Sequence, residues 1–228
     1  VNYNVFCLGD SITYGLSDPI GGWCDRLKSE CLSAEFSATS NTTFRIWNFG
    51  ISGQTVTDLV KKDSRFKEPL SRIRENRENI FILGFGANDC AFDTEAQDFL
   101  TQKTEFKSNL KFLIDLYRDY GKCIVLGITP VTKDLEGKKD NYNCIRNNEF
   151  VAHYNNILKS VCTEYDIDFV DTYSVFTKEN DLISDDGLHP NTKGHKIILE
   201  IVKKVLNNLN ITTTQQKKER KLNFSPIK

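Results

Sequence analysis

Residues 80–89 read Ile80-Phe81-Ile82-Leu83-Gly84-Phe85-Gly86-Ala87-Asn88-Asp89, an apolar run over 80–85 that stops at a glycine turn carrying an amide and a carboxylate. A strand with one face in water alternates apolar and polar side chains, whereas this run is apolar throughout, as expected of a strand covered on both faces. Similar short runs occupy residues 3–8, 44–49, 123–128 and 168–170, each followed by a polar or glycine-containing turn. Between them the apolar residues fall at helical spacing. Phe99, Phe106, Leu110, Leu113, Ile114 and Tyr117 form one such set, and Tyr154, Ile157, Leu158, Val161 and Cys162 another. Strands alternating with helices imply right-handed crossovers, hence a parallel sheet. The expected fold is α/β, a three-layer α/β/α sandwich on a five-stranded parallel sheet.

At 228 residues, one compact domain over residues 1–211 is expected. The last helix is expected over about 192–207, after the turn His189-Pro190-Asn191, and the polar, basic segment 212–228 is expected to be a frayed or disordered tail. The apolar fraction of 39% and charged fraction of 27% are those of a soluble globule. With 30 basic against 31 acidic residues, the balance does not point to nucleic acid or an anionic membrane as partner. No apolar run reaches the length of a membrane span, and the expected ligand is a small molecule. The compartment expected is cytoplasmic, or secreted or periplasmic if a leader was removed before residue 1. Oligomeric state is not set by the sequence. Seven scattered cysteines without a CxxC pair suggest reduced thiols, several of them buried as small hydrophobes. No clustered Cys or His ligands suggest a metal, and no cofactor is implied.

Ligands of open parallel sheets collect at the carboxyl ends of the strands. Four unusual groups lie there. Behind the first strand, Gly9-Asp10-Ser11-Ile12-Thr13 offers a hydroxyl at the rim, although Asp10 and Ser11 equally suit a helix N-cap. Behind the second, Asn48-Phe49-Gly50-Ile51-Ser52-Gly53-Gln54-Thr55 has glycines that allow a backbone N–H to approach a ligand closely. Behind the third, Asn88 offers an amide donor for developing negative charge, or simply a turn-forming Asn. Ahead of the last helix, Asp185-Asp186-Gly187-Leu188-His189-Pro190 sets a carboxylate three residues before a His, so that Asp186 can orient one ring nitrogen while the other serves as base. The other two His, His153 and His195, are expected to be structural.

Together these groups supply nucleophile, base, orienter and oxyanion donors. The blocks GDSIT, NFGISGQT, GAND and DGLHP, spread over residues 9–190, closely resemble the ordered blocks of the SGNH hydrolases, the GDSL-type esterases and lipases. That resemblance implies Ser11 as nucleophile, Asp186 and His189 as its dyad, and Gly53 and Asn88 as oxyanion donors beside the Ser11 N–H. Asp10 and Asp89 would support the site. It also implies a flavodoxin-like sandwich and hydrolysis of small ester substrates, short acyl or acetyl esters first, with lysophospholipids and thioesters as alternatives. Ile12 stands where the family name has Leu, an apolar exchange that leaves the chemistry alone.

Three other readings deserve comparison. An α/β-hydrolase would carry its nucleophile in G-x-S-x-G, which is absent; the nearest approach, Gly50-Ile51-Ser52-Gly53, makes Ser52 the alternative nucleophile. A flavodoxin-like binding module would leave Asp186 and His189 unexplained. A metal-dependent phosphoesterase would need Asp10, Asp89, Asp186 and His189 as ligands. Residues 16–23 and the polar stretch 133–148 are candidate walls of the site, with Trp23 read as a packing anchor for the helix that follows. With little chain left for a lid, the site is expected to be open and to prefer short or water-soluble esters.

Overall fold

The computed structural model describes residues 1–36, 42–62 and 64–222, with side chains to 208. Its centre is a parallel sheet of β1 (Asn2–Gly9), β2 (Thr43–Gly50), β3 (Glu78–Gly84), β6 (Lys122–Leu126) and β8 (Asp168–Val170), in the order β2-β1-β3-β6-β8. A second sheet, antiparallel and not foreseen, joins β4 (Phe92–Asp93), β5 (Asp98–Phe99) and β7 (Cys144–Ile145) in the order β5-β4-β7. The helices are α1 (Ser11–Tyr14), α2 (Gly22–Phe36), α3 (Lys103–Arg118), α4 (Asn148–Tyr165), α5 (Thr172–Phe176) and α6 (Thr192–Leu222). A π-helical turn (Asp58–Lys62) and a 3-10 helix (Arg65–Arg72) connect β2 to β3.

The unbroken apolar runs are explained by two cores, one on each face of the sheet. Successive side chains of β1 divide between them: Tyr3, Val5 and Cys7 join Trp23 of α2 and Ile198 and Val202 of α6, while Phe6 and Leu8 join Phe106 and Leu110 of α3 and Tyr154 and Leu158 of α4. β3 divides likewise, with Ile80 and Ile82 on the first face and Phe81 and Leu83 on the second. Phe81 stacks on Phe6 at 5.1 Å and on Tyr117 at 4.4 Å between ring centroids. Each such side chain removed from water contributes roughly 1.5–3 kcal/mol.

β2 is an edge strand paired only with β1, so it is less enclosed than the others: Ile46 is buried and Phe44 packs against the first core, while Trp47 and Phe49 pack against the second. Two expectations need correction. Phe99 is not in the helix with Phe106; it sits in β5, edge-on to Phe92 and Phe150, and the helix begins at Lys103. The last helix does not stop near 207 but is assigned to Leu222, so 212–222 of the expected tail is helical in backbone; 223–228 lie outside the described residues. Among the described residues no helix is long and apolar enough to cross a membrane.

Candidate active site

β1, β2 and β3 end in glycines at one rim, in register: Gly9 lies opposite Gly50 on one side and Gly84 on the other. The chain moves from β1 outward to β2 and then back across β1 to β3, so β1 ends at the point where the strand order reverses, the usual crevice of such sheets. The first helical turn, α1, is seated there. Asp10 is its N-cap, accepting from Ile12 N–H at 2.9 Å, and Gly15 closes it in the left-handed conformation with its N–H on Ser11 O at 2.9 Å. Close approach of this turn to the sheet depends on Gly50, where a Cβ would come within 2.1 Å of Tyr14 N.

In the first block Asp10 is the helix cap, and the neighbouring Ser11 opens the helical turn. Ser11 Oγ lies 2.8 Å from His189 Nε2, and His189 Nδ1 lies 2.7 Å from Asp186 Oδ2, joining residues 178 positions apart. Ser52 lies exposed in the turn after β2, and it is Ser11 that the fold brings to the imidazole. Asp186 Oδ1 accepts from Ser184 Oγ at 2.8 Å, Leu188 N–H at 2.8 Å and His189 N–H at 2.9 Å, and Ser17 Oγ donates to Oδ2 at 3.4 Å. Partial burial works to raise the Asp186 pKa; the donors from the His189 and Leu188 backbone, the His189 ring and the Ser184 hydroxyl overcome it and hold the carboxyl at about 2. An anion fixed on Nδ1–H leaves Nε2 as acceptor for the serine proton and stabilises the imidazolium that would follow.

The expected oxyanion donors lie in the turns after β2 and β3. Gly53 has φ +78 in an exposed turn, and its N–H meets no acceptor among the described residues. Asn88 is buried, and its Nδ2 donates to Gln54 O at 3.1 Å, which fixes the amide plane and ties the third block to the second while a second amide hydrogen remains. Below the rim, Asp10 and Asp89 are fully enclosed. Burial pushes each carboxyl up to about 7, against backbone donors from Ile12 and Ala87 on Asp10 and, on Asp89, from Val56 N–H at 3.0 Å; the nearby Asp10 adds to the rise at Asp89. They brace the three loops from beneath. Among the described residues no three His, Cys, Asp or Glu side chains converge as a cation site.

Several positioning residues escaped the sequence. Ser17 and Ser184 hold Asp186. Asp18 accepts from Arg26 Nε at 2.7 Å, Arg26 Nη2 at 2.8 Å, Gly22 N–H at 3.1 Å and Thr192 Oγ1 at 3.0 Å, clamping the loop after α1 to α2 and α6. Arg26 is the main cause of its carboxyl standing at about 2. Only the serine two residues before Asp186 had a local signal, the Asx-type spacing. The contacts of Ser17 with Asp186 and of Asp18 with Thr192 join residues far apart in the chain. His195 is wholly buried, accepting from Trp23 N–H on Nδ1 at 3.2 Å and donating from Nε2 to Leu16 O at 3.0 Å; burial lowers its pKa and keeps it neutral. His153 is exposed on α4, and Trp23 is a core residue. The stretch 133–148 carries β7, and Thr132, the residue before it, donates its N–H to Gly187 O of the dyad turn at 2.9 Å. Within it Arg146 pairs with Asp140.

The class of protein follows from the whole chain: a family model of the GDSL-like Lipase/Acylhydrolase family matches residues 7–197, and the chain belongs to that family. It is similar to the GDSL esterase/lipase WDL1 of Oryza sativa subsp. japonica, with 24% identity over 174 residues, 70% of this chain and 62% of the rice protein. The chain thus spans less than two thirds of that relative. Solved structures share the fold. A lipase/acylhydrolase from Enterococcus faecalis superposes with a TM-score of 0.70 at 18% identity, covering 90% of this chain and 95% of the other. The acetylxylan esterase Axe2 from Geobacillus stearothermophilus gives 0.64 at 21% identity, covering 87% and 91%.

Proposed function

We propose that this protein hydrolyses short-chain acyl or acetyl esters through an acyl intermediate on Ser11. The observation that carries this reading is the continuous row Ser11 Oγ, His189 Nε2, His189 Nδ1, Asp186 Oδ2, with both links under 3 Å. His189 takes the hydroxyl proton as Ser11 Oγ attacks the ester carbonyl. The carbonyl oxygen becomes an oxyanion held by the N–H groups of Ser11 and Gly53 and by the Asn88 amide. As the tetrahedral intermediate collapses, His189 Nε2 returns the proton to the departing alkoxide and the alcohol leaves. Water, deprotonated by the same nitrogen, then attacks the acyl carbonyl and frees Ser11. The acetyl preference draws support from the acetylxylan esterase among the structural neighbours.

The test is hydrolysis of p-nitrophenyl acetate, butyrate and palmitate by wild type, Ser11→Ala and His189→Ala, each verified as folded. Wild type is expected to favour acetate and butyrate, and each variant to lose activity by about 10⁴-fold or more. Folded Ser11→Ala that retains turnover would overturn the proposal, and equal rates on butyrate and palmitate would overturn the chain-length preference.

A further inference from the structure

The carboxylate of Asp186 is held by donors of two different origins. Its Oδ1 accepts from Ser184 Oγ, Leu188 N–H and His189 N–H, all within the same short turn as Asp186 itself. These bonds orient the carboxylate inside its turn. They do not set where that turn stands relative to Ser11. Oδ2, the oxygen that faces His189 Nδ1, takes its other donor from elsewhere: Ser17 Oγ at 3.4 Å, 169 positions earlier in the chain. A carboxylate oxygen has two lone-pair sites and can accept both.

Ser17 belongs to the loop that follows the nucleophile's own helix. Gly15 N–H and Leu16 N–H both donate to Ser11 O, at 2.9 and 3.0 Å, so the chain reaches residue 17 already tied to Ser11. Leu16 O accepts from His195 Nε2 at 3.0 Å, and the Asp18 carboxylate is gripped by Arg26 and Thr192. Both neighbours of Ser17 are therefore fixed to the body of the protein. Between them Ser17 has φ +67, in the left-handed region where a serine is strained and a glycine is not. Glycines take that region elsewhere in the same loop, at Gly15, Gly21 and Gly22, yet position 17 carries a hydroxyl. Five other non-glycine residues of the described chain have positive φ, and of the six only Ser17 donates to a residue of the Ser11–His189–Asp186 row.

We propose that Ser17 is a positioning residue for the ester hydrolysis proposed above, on which this inference rests: its hydroxyl fixes Asp186 Oδ2 at the distance from Ser11 that His189 spans. The contacts close a circuit. It runs from Ser11 Oγ through His189 and Asp186 to Ser17, and back along Leu16 N–H to Ser11 O. A strained backbone persists only where its surroundings over-determine it, and the clamps at Leu16 and Asp18 do so here. Without the hydroxyl, Asp186 keeps its charge and three donors but loses the bond that joins its carboxylate to the nucleophile's loop. A small misplacement of reacting groups then lowers turnover rather than binding.

The experiment measures kcat and KM on p-nitrophenyl acetate, together with thermal unfolding, for wild type, Ser17→Gly, Ser17→Ala and Ser17→Thr. Ser17 is exposed, so the three variants should fold, which circular dichroism checks. Ser17→Gly is expected to lose about five- to tenfold in kcat with KM unchanged, while its Tm stands at or above that of wild type because glycine relieves the strain. Ser17→Ala should lose as much kcat without the gain in Tm. Ser17→Thr, which keeps the hydroxyl on a stiffer residue, should lower Tm and hold kcat within about twofold of wild type. A side chain that served only the fold would move kcat and Tm together. A Ser17→Gly or Ser17→Ala kcat within about twofold of wild type, a loss carried by KM, or a Ser17→Thr that falls as far as Ser17→Gly overturns the assignment. Turnover that survives in Ser11→Ala instead overturns the hydrolase reading itself, so the two failures are distinguishable.

Discussion

Asn88→Ala separates an amide that stabilises the transition state from one that only holds a turn together. The side chain is buried, and one of its two N–H bonds is spent on Gln54 O at 3.1 Å. In the fold alone, the substitution leaves that carbonyl without its donor, a cost of about 1 kcal/mol in unfolding free energy. In catalysis, it removes one oxyanion donor of three, a loss of about 2.7–4 kcal/mol confined to the transition state. At about 1.4 kcal/mol per decade, that is a fall of roughly 10²–10³ in kcat with KM nearly unchanged. The assay is steady-state hydrolysis of p-nitrophenyl acetate, paired with urea unfolding of both proteins. A kcat within tenfold of wild type, alongside the expected small loss of stability, would refute the oxyanion role and leave Asn88 as a tie between two loops. A loss carried wholly by KM would refute it too, because uniform binding is not transition-state stabilisation.

Gly50→Ala would place a methyl 2.1 Å from Tyr14 N and lift α1 from the sheet; a displacement of Ser11 by about 1 Å should lower kcat on p-nitrophenyl acetate by roughly 10²-fold, and wild-type turnover would show that α1 is not seated by this contact. Asp10 and Asp89, held at about 7 by burial, keep their protons in the folded chain while the unfolded chain releases them near 4. Their stabilising contribution is therefore complete below about pH 4 and is lost as pH rises to 7, by up to roughly 1.4 kcal/mol per pH unit and group. His195, held neutral, works the other way below its usual range, whereas Asp18 and Asp186, held near 2, matter only as pH falls below about 4. Asp89→Asn should accordingly reduce the loss of unfolding free energy between pH 5 and 7.5, measured in urea, and an unchanged loss would show that Asp89 does not carry it. Trp23→Ala, which empties a fully buried site between α2 and the sheet, should cost about 3–5 kcal/mol in the same assay, while a cost under 1 kcal/mol would contradict its place in the core.

The sheet was legible because it obeys a local rule. A strand that reads apolar at every position, as 80–85 does, reports cover on both faces without any tertiary information, and alternation with helices then sets parallel pairing. The rule applies less cleanly at β2, where Arg45 and Asn48 interrupt the apolar residues of 44–49 and the strand lies at the sheet edge. The small β5-β4-β7 sheet was invisible because two-residue strands carry no period, and Phe99 fell by chance in phase with the helix that follows.

The candidate site residues were likewise legible in the sequence: Ser11, Gly53 and Asn88 stand in short blocks after β1, β2 and β3, and Asp186 and His189 in the turn that leads into α6. What only the tertiary structure decided is how they meet. The 2.8 Å contact that joins Ser11 to His189 spans 178 residues, and the Asp18 clamp reaches Thr192 across 174, through helices whose packing no local pattern specifies.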